Sequence, residues 1–101
     1  MTVEQAAVEI LESCEVPKHL RGFKYLVSAI TEGYKNPSIT ELLTKDLYPK
    51  IGKMHHTNAR CVERSMRFAV AKSNMKHHIT TGQFVHTAIW KLRTMKTPPT
   101  W

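Results

Sequence analysis

The sequence predicts an all-α protein, a small helical bundle of about five or six helices that contains a helix-turn-helix. Three observations support this fold class. Apolar residues recur every three or four positions in several segments, the spacing that places side chains on one face of a helix. Residue pairs that can close a capping box stand at the start of several of these segments. No segment shows the alternation of apolar and polar residues typical of a half-buried strand.

The first two helices should be separated by a proline. Thr2 and Gln5 form a candidate capping box, so the first helix should begin after Thr2 and end before Pro17. Pro17 can open a second helix, because proline is well tolerated in a first helical turn. Asn36 should close that helix ahead of Pro37. The apolar stripe of the second helix is expected in the core and consists of Leu20, Phe23, Val27, Ile30 and Tyr34.

Two short helices should follow in the middle of the chain. Ser38 and Glu41 have the capping-box spacing and predict a third helix over the apolar residues up to Leu47. Proline disrupts the interior of a helix but not its first turn. We therefore place a fourth helix from about Tyr48 to His55.

The next helix, residues 59–73, is the most informative segment. It should begin after a cap at Thr57 or Asn58. On a helical wheel its apolar side holds Val62, Met66, Ala69 and Val70. Its charged side holds Arg60, Glu63, Arg64 and Arg67. One face should pack and the other contact a ligand, so residues 48–73 predict a helix-turn-helix, a motif that reads DNA.

Cys61 and Phe68 share a flank between these two faces of the helix. Both can pack against the preceding helix or meet thymine methyl groups, and packing is the favoured role. Thr80 and Gln83 then predict a last helix to about residue 95. Periodicity favours burial of Trp90, and the alternative for Trp90 and Trp101 is an exposed anchor of a dimer or polymerase contact. The tail, residues 96–101, should be loose, and residues 1–101 should form a single domain.

Basic residues are concentrated in the second half of the chain. Residues 1–49 hold five basic and seven acidic residues, a net charge of −2, whereas residues 50–101 hold ten basic and one acidic, a net charge of +9. A basic surface favours polyanions such as nucleic acid or an anionic membrane, and charge alone does not choose between them. The chain has neither an 18-residue apolar stretch nor a secretory signal, so we expect a cytoplasmic protein with no membrane partner. Cys14 and Cys61 should then be free thiols.

Three motifs carry a family resemblance: G-[FY]-x-Y-L at residues 22–26, L-Y-P-x-I at residues 47–51 and V-E-R-x-[MI]-R at residues 62–67. With them, most of the chain resembles the C-terminal effector domain of the response regulator that initiates sporulation in endospore-forming bacteria. The resemblance implies an all-helical domain that binds a short box in double-stranded DNA, commonly as tandem copies. It also implies action on transcription by RNA polymerase, so the polymerase and a second copy on tandem sites are further expected partners.

The resemblance assigns base reading to Cys61, Glu63 and Arg64, with Arg67 close to the DNA backbone. The family has arginine where this chain has Cys61, and a small residue where this chain has Arg60. Cysteine cannot make the bidentate contact to guanine that arginine makes. Either Arg60 substitutes from a neighbouring angle, or the protein reads a different box. Arg64 and Glu63 suit a site that contains G·C, because arginine matches guanine and a carboxylate accepts from cytosine N4.

Residues around this face should contact phosphates and position the protein without reading sequence. They are the basic Lys50, Lys53, Arg67 and Lys72, and the neutral His55, Thr57 and Asn58 near the helix N-terminus. The alternative interpretation of the charged face is a solvated surface, on which Glu63 and Arg67 form an ordinary i,i+4 pair.

Metal binding and catalysis have no supporting motif. Adjacent histidines, as at residues 55–56 and 77–78, point about 100° apart on a helix, and no CxxC, HxxxH or HExxH pattern is present. Glu41, Asp46 and Glu63 lack a paired carboxylate or a positioned nucleophile, and no glycine-rich phosphate loop exists. We therefore predict no metal, no cofactor and no enzymatic activity.

A second hypothesis keeps the fold and changes the partner. Members of this family normally carry an N-terminal receiver domain, for which 101 residues leave no room. The chain is either an excised domain or a protein without a receiver, and Met1 followed directly by a capped helix favours a natural start. The chain is therefore also a candidate helical adaptor that modulates a full-length sporulation regulator through its acidic first helix or its last helix. RNA binding is a weaker third hypothesis, because exposed aromatic residues or loops are its usual means.

Overall fold

The computed structural model describes residues 1–75, 79–95 and Pro99. It contains five α-helices: α1 (Val3–Ser13), α2 (Arg21–Lys35), α3 (Tyr48–Met54), α4 (Ala59–Ala71) and α5 (Thr81–Arg93). A 3₁₀ turn (Pro37–Thr40) and a π turn (Leu43–Leu47) connect α2 to α3. The described residues contain no strand, so the predicted all-α class is confirmed.

Helix α2 is the centre of the bundle, because it packs against each of the other four helices. Leu26 and Ile30 on this helix are fully buried. Two glycines allow the close packing: a Cβ atom at Gly22 would collide with the backbone of α4, and one at Gly33 would collide with Ile89 of α5. The core is completed by apolar side chains from all five helices, including Leu11, Ile51, Met66 and Phe84.

Both terminal helices begin with the capping boxes that the sequence predicts. The Thr2 N–H donates to Gln5 Oε1 at 2.9 Å, and the Gln5 N–H donates to Thr2 Oγ1 at 3.1 Å. Thr80 and Gln83 repeat this arrangement at 2.9 and 3.2 Å. Each box satisfies backbone donors that the first turn of a helix leaves without a partner.

The middle of the chain corrects two of the predicted elements. Helix α2 begins at Arg21 rather than at Pro17, because the Leu20 N–H bonds back to the Pro17 carbonyl in a separate turn at 3.4 Å. The predicted third helix from Ser38 to Leu47 is replaced by the 3₁₀ and π turns. Ser38 caps nothing there, since it lies inside the 3₁₀ turn and its hydroxyl donates to Asn36 Oδ1 at 2.7 Å.

The prediction that Trp90 is buried is wrong, because its side chain is 64% exposed. The inner face of α5 is already filled by Phe84, Val85, Ala88, Ile89 and Leu92. Trp90 follows Ile89 by one residue, which turns it about 100° away from that face. His77, His78 and the predicted loose tail, apart from Pro99, lie outside the described residues. No helix in the described part of the chain is long and apolar enough to cross a membrane.

Candidate nucleic-acid interface

Helices α3 and α4 meet at a sharp corner formed by residues 55–58. The Thr57 N–H reaches back to the Gly52 carbonyl at 2.8 Å, and His56 between them has a φ of 57°. This is the hydrogen bond and left-handed residue of a helix C-terminal capping motif. Gly52 is required here, because a Cβ atom on it would lie 2.9 Å from the Thr57 carbonyl oxygen.

Asn58 is the residue that caps α4. Its side-chain oxygen accepts the Cys61 N–H at 2.8 Å, and its backbone is extended, as an N-cap requires. Thr57, the other predicted cap, lies half-buried in the corner. The corner and the cap together set the direction in which α4 leaves α3.

The two faces of α4 are clearly divided in the structure. Val62, Met66 and Ala69 are fully buried against the other helices. Arg60 and Arg64 are exposed and stand one helical turn apart on the outer face. The fold therefore leaves both guanidinium groups accessible to a partner.

Glu63 lies at the edge of this outer face rather than at its centre. It is seven residues from the buried Val70, which places both on the same side of the helix. Its side chain is 35% exposed, and its Oε1 lies 3.5 Å from Arg67 Nη1. Glu63 also affects Tyr48 of α3. The pKa of the Tyr48 hydroxyl is raised first by burial and second by the negative charge of Glu63.

Cys61 is half-buried on the opposite edge of α4, beside the N-terminal end of α2. An open groove of about 600 Å³ separates the two helices at this point. Leu20, Arg21 and Gly22 line it from α2 and the residue before it, whereas Cys61, Arg64, Ser65, Arg67, Phe68 and Ala71 line it from α4. Phe68, expected to pack, is 52% exposed.

The predicted phosphate contacts fall into two groups. Lys53, Arg67 and Lys72 are exposed, and Lys72 Nζ lies 5.3 Å from the centre of the Phe68 ring. Lys50 and His55 are instead held by α2. Lys50 Nζ is 2.8 Å from Glu32 Oε1, and His55 Nε2 is 2.8 Å from Ser28 Oγ, with the imidazole ring 5.0 Å from the Tyr25 ring.

One exposed cation at the site, Arg21, was not predicted from the sequence. It reaches the groove beside Arg64 only because Gly22 lets α2 approach the Ser65 backbone closely. No local spacing relates Arg21 to α4, so only the tertiary structure brings them together.

Among the described residues, no three His, Cys, Asp or Glu side chains come together in a group that could hold a metal ion. Cys14 is buried and Cys61 half-buried, and both are free thiols. The interface therefore offers guanidinium and ammonium donors, one carboxylate, and a small apolar strip formed by Cys61 and Phe68.

The comparison with known families agrees with this geometry. A family model described as "Sporulation initiation factor Spo0A C terminal" matches residues 7–97 of the 101-residue chain. The match covers α2 to α5 and most of α1. That domain is the DNA-binding effector domain of a sporulation regulator, and the family is regulatory rather than catalytic. With this match over most of its length, the chain belongs to the Spo0A C-terminal family of DNA-binding domains.

Proposed function

We propose that this protein is a sequence-specific regulator of transcription that places α4 in the major groove of double-stranded DNA. The observation that carries the proposal is the exposure of Arg60 and Arg64 on a helix whose other face is fully buried. The major groove admits one α-helix, and its base edges offer acceptors that match arginine donors. The family supports DNA binding as such. A DNA-bound regulator acts in the cytoplasm of a bacterium, where we place it.

Base reading is assigned first to Arg60 and Arg64. Each can make a bidentate contact to guanine O6 and N7, with discrimination of about 1–3 kcal/mol per contact. The exposure of Arg60, against half-burial of Cys61, supports Arg60 as the substitute for the arginine that the family has at the next position. Glu63 accepts from cytosine N4 at the edge of the contact, on the side where Arg67 already holds its carboxylate.

Contacts to the phosphates of the DNA backbone are assigned to Lys53, Lys72 and Arg67, and to the N-terminus of α4 at Thr57 and Asn58. Lys50 and His55 stay in the proposal with a smaller contribution, because each must first leave a partner on α2. These contacts fix the register of the protein on the duplex and add affinity that depends on salt.

The proposal is tested by selecting preferred sites from random duplexes, followed by gel shifts on the enriched box. Arg64→Ala should relax specificity at one base pair at a cost of about 1–3 kcal/mol. Lys53→Ala should weaken all sequences alike and reduce the salt slope by about 1. Lys91→Ala, which removes an exposed cation from α5, is the control and should change neither quantity. A pool without an enriched box, or the same behaviour of the Arg64 and Lys53 variants, contradicts the proposal.

The exposed Trp90 favours a second candidate function, contact with a protein partner. Tryptophan is enriched among the residues that dominate binding at protein interfaces, and this one projects from α5 into solvent. The candidate partners are RNA polymerase, a second copy of the chain on tandem sites, and a full-length sporulation regulator. The adaptor function requires a stable complex with the full-length regulator, and Trp90→Ala should abolish that complex. It also requires that the protein bind DNA no better than a generic polycation does. Strong selection of a DNA box contradicts it.

A further inference from the structure

We infer that Phe68, with Cys61 beside it, reads the 5-methyl group of a thymine next to the guanine contacted by Arg64. The inference rests on the proposed function, because it needs α4 in the major groove. It adds an apolar specificity determinant to the arginine contacts.

Phe68 lies on the exposed face of α4, in line with the two base-reading arginines. Arg60, Arg64 and Phe68 are four residues apart in sequence, so they form one row along the exposed face of the helix. Lys72 continues the row, with its Nζ 5.3 Å from the centre of the Phe68 ring. Long side chains on a helix lean over the preceding turn, which directs the ring toward Arg64. The DNA-facing row is therefore two arginines, one aromatic ring and one lysine.

The ring of Phe68 is exposed to solvent. Phe68 is 52% exposed although apolar side chains are normally withdrawn from water. Of the five large hydrophobic residues that the described chain leaves exposed, Phe68 alone belongs to α4. Its exposed surface continues onto Cys61, seven residues earlier on the same side, and both line the groove beside Leu20. Phe68 and Cys61 thus form an apolar strip next to Arg60 and Arg64.

The chemistry of the major groove identifies the ligand of this strip. The thymine 5-methyl is the apolar group among the base edges exposed there, whereas the other edges present hydrogen-bond donors and acceptors. An aromatic ring cannot contact those polar edges without leaving them unpaired. The cations on both sides of Phe68 hold the phosphates and guanine, so the apolar strip is directed at a neighbouring thymine.

The test replaces each thymine of the selected box by uracil, which removes only the methyl group. The wild-type protein should lose about fourfold in affinity at one or two positions, the effect expected for one buried methyl group. Phe68→Ala should bind the thymine and uracil boxes equally, and Phe68→Leu should keep part of the discrimination. Leu42→Ala, which removes an exposed apolar side chain between α2 and α3, is the control and should keep the discrimination fully. Because Phe68 is outside the core, circular dichroism should show all variants folded.

Three results would overturn the inference: a selected box without a thymine beside guanine, equal wild-type binding to thymine and uracil, or discrimination that persists in Phe68→Ala. A failure of the proposed function is different, because no box would then be enriched at all. If Phe68 instead contacts a protein, the wild type should bind the thymine and uracil boxes equally, and Phe68→Ala should abolish the protein complex; this result also overturns the inference.

Discussion

The corner between α3 and α4 contains a histidine in a backbone conformation that glycine usually occupies. His56 has a φ of 57°, and its neighbour Thr57 closes the corner on the Gly52 carbonyl. A side chain in this left-handed region costs about 1–2 kcal/mol, because the Cβ atom crowds the following carbonyl oxygen. The geometry of the interface therefore depends on Gly52, where only glycine fits, and on His56, which tolerates a strained backbone.

Replacing the strained histidine should relieve this cost. His56→Gly should raise the free energy of unfolding by up to about 1 kcal/mol, since the gain in the folded state exceeds the added chain entropy of glycine in the unfolded state. Urea denaturation measures this change in the free energy of unfolding. Glu15→Gly is the matched control, because Glu15 has a φ of 60° after α1 and should give a similar gain. A loss of stability in His56→Gly with a gain in Glu15→Gly would show that the His56 side chain makes a stabilising contact.

Among the helices, the position of α4 depends on its packing against α2 and α3. Gly22 brings the start of α2 against the Ser65 backbone, and Tyr48 at the start of α3 lies beside Glu63. These contacts set how far α4 projects and which of its residues face outward. Substitutions there should change stability and DNA binding without touching a base-reading residue.

A side chain at Gly22 should separate α2 from α4. Gly22→Ala places a Cβ atom against the Ser65 backbone carbonyl, which cannot move aside as a flexible side chain can. We expect a loss of about 1–3 kcal/mol of unfolding free energy, the usual cost of overpacking, measured by thermal denaturation. Gly82→Ala is the control, because its Cβ would meet only the end of the Leu43 side chain. Equal effects of the two variants would contradict the assigned close contact.

The stability of the α3–α4 pair should depend on pH through Tyr48. Burial and the nearby Glu63 raise its pKa in the folded protein above the ordinary value of 10.0. The tyrosine therefore loses its proton first in the unfolded chain, so its contribution to stability is complete below pH 10 and is lost as the pH rises above 10. Tyr48→Phe should show a shallower decline of unfolding free energy above pH 10 than the wild type. Parallel declines in urea denaturation would contradict this.

Across the whole molecule, the charge differs between the two halves of the sequence. Residues 50–101 carry a net charge of +9 and include the α4 interface, whereas residues 1–49 carry −2 and include the acidic α1. Excess positive charge draws a protein toward DNA and makes its affinity sensitive to salt. The ion pair between Lys50 and Glu32 joins the two halves and removes one cation from the interface.

Releasing that cation should strengthen the salt dependence of binding. Glu32→Gln leaves Lys50 without its 2.8 Å partner, so it should steepen the slope of log affinity against log salt by up to about 1. Lys50→Ala alone should change the slope little, in contrast to Lys53→Ala. Gel shifts over a salt series measure the three slopes. A large change of the slope in Lys50→Ala would contradict this prediction, because it would show that Lys50 leaves Glu32 and contacts DNA in the wild type.

The sequence by itself determined the helical class, the two capping boxes and the two faces of α4. All of these depend on interactions between residues at most four positions apart, which a periodic pattern records directly. It did not determine the segment between α2 and α3, where a proline and competing side chains replaced the expected helix by two turns.

The tertiary structure alone decided which residues of the interface are free. Lys50 and His55 are held by side chains on α2, Arg21 enters the groove beside Arg64, and Phe68 and Trp90 remain exposed. These outcomes depend on how far apart and in which orientation distant helices pack, and residues far apart in sequence leave no periodic signal of their contact. The local sequence therefore determines which chemical groups α4 carries, whereas the packing of the bundle determines which of them are accessible.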